Sequence, residues 1–186
     1  HGERWRVEVR AFDGEAEGPV VTTQVQIRNS LPEAPQLVIT PSKAQVGSPL
    51  RCDISTEAPD ADADALRYRF TWFRDGQPVS AGADGSIAGT LVFKGQRWQC
   101  SAQAQDAQGL GPKAQSAERV VDNSPPGAPQ LSIWPQTPRA DQALHCGLSL
   151  EASDPDGDPL RYDFSWTLMG GKKRRKAETH SGAVLS

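Results

Sequence analysis

Asp60-Ala61-Asp62-Ala63-Asp64-Ala65-Leu66-Arg67-Tyr68-Arg69-Phe70-Thr71-Trp72 is the stretch on which the fold turns. Leu66, Tyr68, Phe70 and Trp72 alternate with Arg67, Arg69 and Thr71, so one face is apolar and the other wet. A period of two belongs to a half-buried strand, not a helix. Asp75-Gly76 follows and reads as a tight hairpin turn. The same stretch returns as Asp154-Pro155-Asp156-Gly157-Asp158-Pro159-Leu160-Arg161-Tyr162, closing on Trp166, a period of 94 residues.

Working outward, the period holds. Asn29-Ser30-Leu31-Pro32 recurs as Asn123-Ser124-Pro125-Pro126, Ala34-Pro35-Gln36-Leu37 as Ala128-Pro129-Gln130-Leu131, and Cys52 as Cys146. A second block is offset by 93: Gly2, Arg4, Trp5, Asp13, Gly18 and Pro19 match Gly95, Arg97, Trp98, Asp106, Gly111 and Pro112. One inserted residue before Asn123 reconciles the offsets. Leu144, Cys146, Leu148 and Leu150 alternate with other residues, as do Trp5, Val7, Val9 and Ala11. A period this long exceeds helical or leucine-rich repeats and suits a seven-strand sandwich.

The bulk composition agrees. The chain has 186 residues, 37% apolar, with 15 Pro and 17 Gly, and a mean hydropathy of -0.56. Such values suit thin sheets with one wet face and many turns rather than one thick core. A net charge of -3 argues against general nucleic-acid binding. No stretch approaches the ~18 apolar residues of a membrane-spanning helix, and no signal peptide is visible.

The order Cys52, Trp72, then Gly95-Gln96-Arg97-Trp98-Gln99-Cys100 resembles the immunoglobulin pattern. Ser153-Asp154-Pro155-Asp156-Gly157-Asp158-Pro159-Leu160-Arg161-Tyr162 is similar to the PKD-like and cadherin-like modules strung along bacterial surface proteins. The resemblance implies an all-β chain of tandem immunoglobulin-like Greek-key β-sandwiches. It also implies a disulfide from Cys52 to Cys100 across a buried Trp72; two buried free thiols are the alternative. Trp98 stands where the pattern has Tyr, and its indole N–H can serve as donor. A bridge implies an oxidising compartment, hence an exported protein at the cell surface or beyond. Cys146 has no expected partner, because the matching position is Val7, and reads as a buried thiol, with an intermolecular bridge as the sharper alternative.

The expected organisation is a complete repeat over 30–123, flanked by the last strands of a repeat over 1–29 and the first strands of another over 124–186. Ser181 to Ser186 matches Ala88 to Phe93, and His1 to Trp5 matches Lys94 to Trp98, so the two ends make one unbroken repeat. Either the chain is a slice of a longer array, or one molecule's first strands complete the last sandwich of the next. The second would build a head-to-tail filament. Partners are then copies of the chain or adjacent repeats, with no nucleic acid and no membrane span.

The best ligand candidates are Asp60, Asp62 and Asp64, with Asp154, Asp156 and Asp158. Alternating carboxylates on a tight loop can converge on Ca²⁺, which takes six to eight oxygens. The competing reading is an Asx turn ahead of the Leu-Arg-Tyr strand. Lys172, Lys173, Arg174, Arg175 and Lys176 form a basic run, read as a solvated hairpin tip or as a contact for an anionic partner. Trp5, Trp72, Trp98 and Trp166 fall on inward positions. Trp134, beside Pro135, is expected to pack at a joint or contact a partner. His1, His145 and His180 are scattered, and no nucleophile elbow, HExxH or phosphate loop is present. The expectation is a non-catalytic structural repeat, with an adhesion or carbohydrate-binding accessory module as the alternative.

Overall fold

The computed structural model describes residues 1–80, 85–167, 180–181 and 184–185. The chain is nearly all β, in antiparallel sheets, and divides into two units, His1–Asp122 and Asn123–Ser186. Residues 1–29 lie in the first of these units. Among the described residues no helix is long and apolar enough to cross a membrane.

The first unit opens with a hairpin, β1 (Arg4–Val9) and β2 (Val21–Gln26), paired from Arg4 opposite Gln26 to Val9 opposite Val21. The rest of the unit is two facing sheets. One holds β3 (Gln36–Thr40), β4 (Leu50–Thr56) and β7 (Ser86–Ile87), in that order. The other runs β10 (Arg119–Val120), β8 (Arg97–Gln105), β5 (Arg67–Arg74), β6 (Gln77–Val79), with β9 (Leu110–Gln115) also on β8.

Alternation drives this packing. On β5, Tyr68 and Phe70 are half-buried, as is Leu66 just before it, and Trp72 is fully buried, while Arg67, Arg69 and Thr71 are exposed. On β8, Trp98, Cys100, Ala102 and Ala104 are all buried. Trp98 and Cys100 close on Ile39, Leu50 and Cys52 of the other sheet. The Cys52–Cys100 disulfide crosses between the sheets, with Cα atoms 6.2 Å apart. Trp72 and Trp98 meet edge-to-face at 6.0 Å, the favoured geometry for two aromatic quadrupoles. Each indole has an acceptor: Trp72 Nε1 donates to the Gly85 carbonyl at 3.0 Å, and Trp98 Nε1 to Gln96 at 3.1 Å. The expected turn is present, with Asp75 and Gly76 both at positive φ, as a two-residue hairpin requires.

The proline-rich joint is seated on this sandwich. Pro32 is buried and Glu33 N–H bonds the Pro59 carbonyl at 2.8 Å. The contact is close enough that a Cβ at Gly111 would stand 2.2 Å from the Pro32 carbonyl oxygen. Glycine is therefore required on β9 at that point.

The second unit holds β11 (Gln130–Trp134) against β12 (Leu144–Leu150), with a register shift at Gln130/Leu131 matching the one at Gln36/Leu37. β15 (Val184–Leu185) extends this sheet, and β13 (Ser165–Trp166) pairs with β14 (His180–Ser181). Leu185 lies opposite Leu144, the place Ile87 holds opposite Leu50. Val184 and Leu185 therefore hold the register positions of Ser86 and Ile87, whereas the sequence match set them against Leu91 and Val92.

Three tryptophan assignments change or sharpen. Trp5, expected inside, is 60% exposed, because among the described residues nothing covers the apolar face of the hairpin. Trp166 is half-buried. Trp134 lies directly opposite His145 and stacks on its ring at 5.6 Å, so it is partly engaged within its own sheet. Cys146 is a free thiol, half-buried rather than buried.

Candidate functional site

The acidic loop between β4 and β5 is built by one carboxylate. Asp60 Oδ1 accepts from Asp62 N–H at 2.9 Å and Asp64 N–H at 3.2 Å, and the Asp60 carbonyl accepts from Ala63 N–H. This is the Asx turn expected as the plain reading. Closing it drives Ala63 to φ 57°, a left-handed conformation that Gly157 adopts at φ 77° in the second loop. A residue with a Cβ holds that conformation at a cost of about 1–2 kcal/mol.

The turn also gathers charge. Oxygens of Asp60, Asp64 and Asp106 lie within 4.8 Å of one another, as do ligand atoms of His1, Asp62 and Asp64. Asp106 comes from the β8–β9 turn, is 5% exposed, and fixes that turn by accepting from Gln108 and Gly109 N–H. The joint closes the other side. Asn29 Nδ2 donates to Asp106 Oδ2 at 2.8 Å, and Ser30 N–H donates to Asp62 Oδ2 at 2.6 Å. Asp106 and Asn29 were not among the sequence candidates, although Asp106 had been matched to Asp13 by the 93-residue offset.

Two of the carboxylates are settled and one is not. The Ser30 N–H holds Asp62 below the ordinary aspartate range, and the Asn29 amide does the same for Asp106. Burial pushes Asp64 up, helped by the charges of Asp60, Asp62 and Asp106. Its folded-state value thus lies above its unfolded one. The penalty for carrying its charge is absent at low pH and complete once pH passes the folded value. Asp64→Asn is therefore expected to raise rather than lower the melting temperature at pH 7 in chelator. The gain should vanish in melts taken below pH 4, and an unchanged difference across pH would count against it.

The second loop repeats the construction. Asp154 Oδ1 accepts from Asp156 N–H at 2.8 Å and Asp158 N–H at 3.2 Å, and Ser124 N–H donates to Asp156 Oδ2. Asp154, Asp156 and Asp158 converge within the same 4.8 Å. In both loops the following tyrosine is anchored identically, Ala58 N–H to the Tyr68 hydroxyl and Ala152 N–H to the Tyr162 hydroxyl, each at 3.1 Å. Glu57 and Glu151 border the respective hollows, adding a carboxylate to each that sequence inspection had not singled out.

The donor set fits a hard cation. Asp60 Oδ2, Asp64 Oδ2 and Asn29 Oδ1 are buried oxygens with no hydrogen-bond partner, as are Asp156 Oδ1 and Ser124 Oγ in the second loop. Oxygens bound 2.3–2.6 Å from one Ca²⁺ lie at most about 5 Å apart, which the observed convergence satisfies. The basic run from Lys172 to Lys176 lies outside the described residues. No family model matches the chain, and no curated protein matches it.

Proposed function

We propose that the chain is a non-catalytic structural segment of an exported bacterial surface protein or extracellular filament. In this reading immunoglobulin-like sandwiches follow one another, joined by proline-rich linkers that Ca²⁺ locks in place. Its partners are further copies of itself or adjacent repeats. The observation that carries it is the tie between linker and loop: Asn29 and Ser30 bond Asp106 and Asp62, so a cation among these carboxylates would hold the joint as well as the turn. The buried disulfide fits an oxidising compartment outside the cytoplasm.

Each residue has a distinct task. Asp60 shapes the loop through one oxygen and offers the other; Asp64 and Asp106 complete the acidic face; Asn29 supplies a neutral oxygen from the linker. Ca²⁺ supplies the positive charge that relieves their mutual repulsion. Ligand binding to the folded state alone raises stability with ligand concentration. At about 100 times the dissociation constant, calcium should raise the melting temperature by roughly 10 °C. Asp60→Ala should abolish the rise. A melting curve that is identical in calcium and in chelator would dispose of the cation.

A further inference from the structure

The outer face of the β11–β12 sheet departs from its counterpart in the first unit at three adjoining positions. By the 94-residue period, Trp134, His145 and Gly147 stand where the first unit has Thr40, Arg51 and Asp53. There the three make a polar surface: Thr40 Oγ1 donates to Asp53 Oδ2 at 2.6 Å, and Arg51 Nε lies 3.7 Å from Asp53 Oδ1. In the second unit a tryptophan, an imidazole and a residue without a side chain replace all three together.

The replacements fit one another. Trp134 pairs across the strands with His145, and the two rings stack at 5.6 Å with 11° between their planes. The far edge of the indole reaches over Gly147, where a Cβ would stand 3.0 Å from its Cη2 and Cζ3 atoms. A side chain at that position would lift the ring from its seat. Trp134 is thus held along the sheet and remains 48% exposed. Ser132, opposite Gly147 and two residues before Trp134, shares this face and adds a hydroxyl beside the ring.

This exposure belongs to an outer sheet face and not to an uncovered core. Leu131 and Ile133 alternate with Ser132 and Trp134 and occupy the positions of Leu37 and Ile39, which pack in the core of the first unit. In that unit both facing sheets are present, and its outer face is still in water: the Arg51 and Asp53 side chains are 61% and 42% exposed.

The occupant follows from size and charge. An indole buries at most about 250 Å², whereas a stable protein interface needs ~800 Å² on each side. With its inner side against His145 and Gly147, the ring offers one flat plate and not the several faces that enclose a quaternary ammonium. The three positions carry no carboxylate or guanidinium, so the plate has no charge partner for an acidic polymer. The face of an aromatic ring is negative in its quadrupole, and one side of a pyranose presents C–H groups of matching size and opposite polarity. We infer that Trp134, seated on His145 and Gly147, is a stacking site for a pyranose ring of a neutral polysaccharide. The plate is preformed, so little ordering entropy opposes binding, and a polymer that offers many rings to many chains adds avidity. This activity goes beyond the structural reading above and does not depend on calcium.

Native electrophoresis of the full chain in chelator, through gels containing xylan, hydroxyethyl cellulose or galactomannan, should show retardation by at least one polymer. Trp134→Thr, which reinstates the residue of the first unit, should weaken that retention at least ~10-fold. Gly147→Asp should weaken it similarly with the indole still present, and Asp53 shows that such a sheet accepts aspartate there. Trp5→Ala removes an exposed indole elsewhere and should leave retention intact. The inference is overturned if none of the three polymers retards the chain, or if Trp134→Thr or Gly147→Asp is retained as strongly as the unmodified chain. It is overturned as well if Trp5→Ala loses as much, or if only alginate, an acidic polymer, retards the chain. None of these results bears on calcium-dependent melting, so this site and the cation site fail separately.

Discussion

Trp72→Ala should remove most of the stability of the first unit, costing about 3–5 kcal/mol. Trp72 is completely buried, pairs in register with Cys100, and stands edge-on to Trp98. Truncation leaves a cavity against the disulfide that the two sheets cannot close, because the bridge fixes their spacing. The edge-to-face pair adds about 0.5–1.5 kcal/mol beyond area, and the Gly85 carbonyl loses the indole N–H it accepts from. Small domains have only 5–15 kcal/mol in total, so the variant should be near the edge of folding. Urea unfolding followed by near-ultraviolet circular dichroism gives the number. A loss below 1 kcal/mol would mean that the tryptophan pair is not the centre of the core.

Breaking the Cys52–Cys100 bridge should cost about as much, by a different route. The bridge spans 48 residues of chain, and closing a loop of that length restricts the unfolded ensemble by about 4 kcal/mol in the chain-entropy account. The Cys52→Ala, Cys100→Ala double variant should melt roughly 20 °C lower. It should also show a larger m-value, because its unfolded chain is less compact. Cys146→Ala should leave both quantities unchanged. A lowered melting point with an unchanged m-value would point to damage in the folded state instead.

The sequence made some of this readable and hid the rest for physical reasons. The β5 alternation is legible because each side chain reports its face directly; Arg67 and Arg69 are exposed while Tyr68 and Phe70 turn inward. The Asp75-Gly76 turn is legible because few residues take positive φ in succession. Trp5 misleads, because periodicity says which residues share a face and not whether anything covers it. Asp106 and Asn29 join Asp60 and Asp64 only through folding, across 77 residues in the bond between the first two. Their one trace was recurrence: Asn29 returns at Asn123, and Asp106 echoes Asp13. The Trp134–His145 stack depends on cross-strand register, which alternation alone leaves open.

The covalent link between the two sheets also has a mechanical meaning. A pull along the chain acts on the stretches outside Cys52 and Cys100, while the 48-residue span between them is bypassed through sulfur. At about 3.3–3.6 Å per extended residue, roughly 160 Å of contour is withheld from any stretching. Under tension the first unit can therefore yield only the stretches outside the bridge, which sets a hard upper limit to its length.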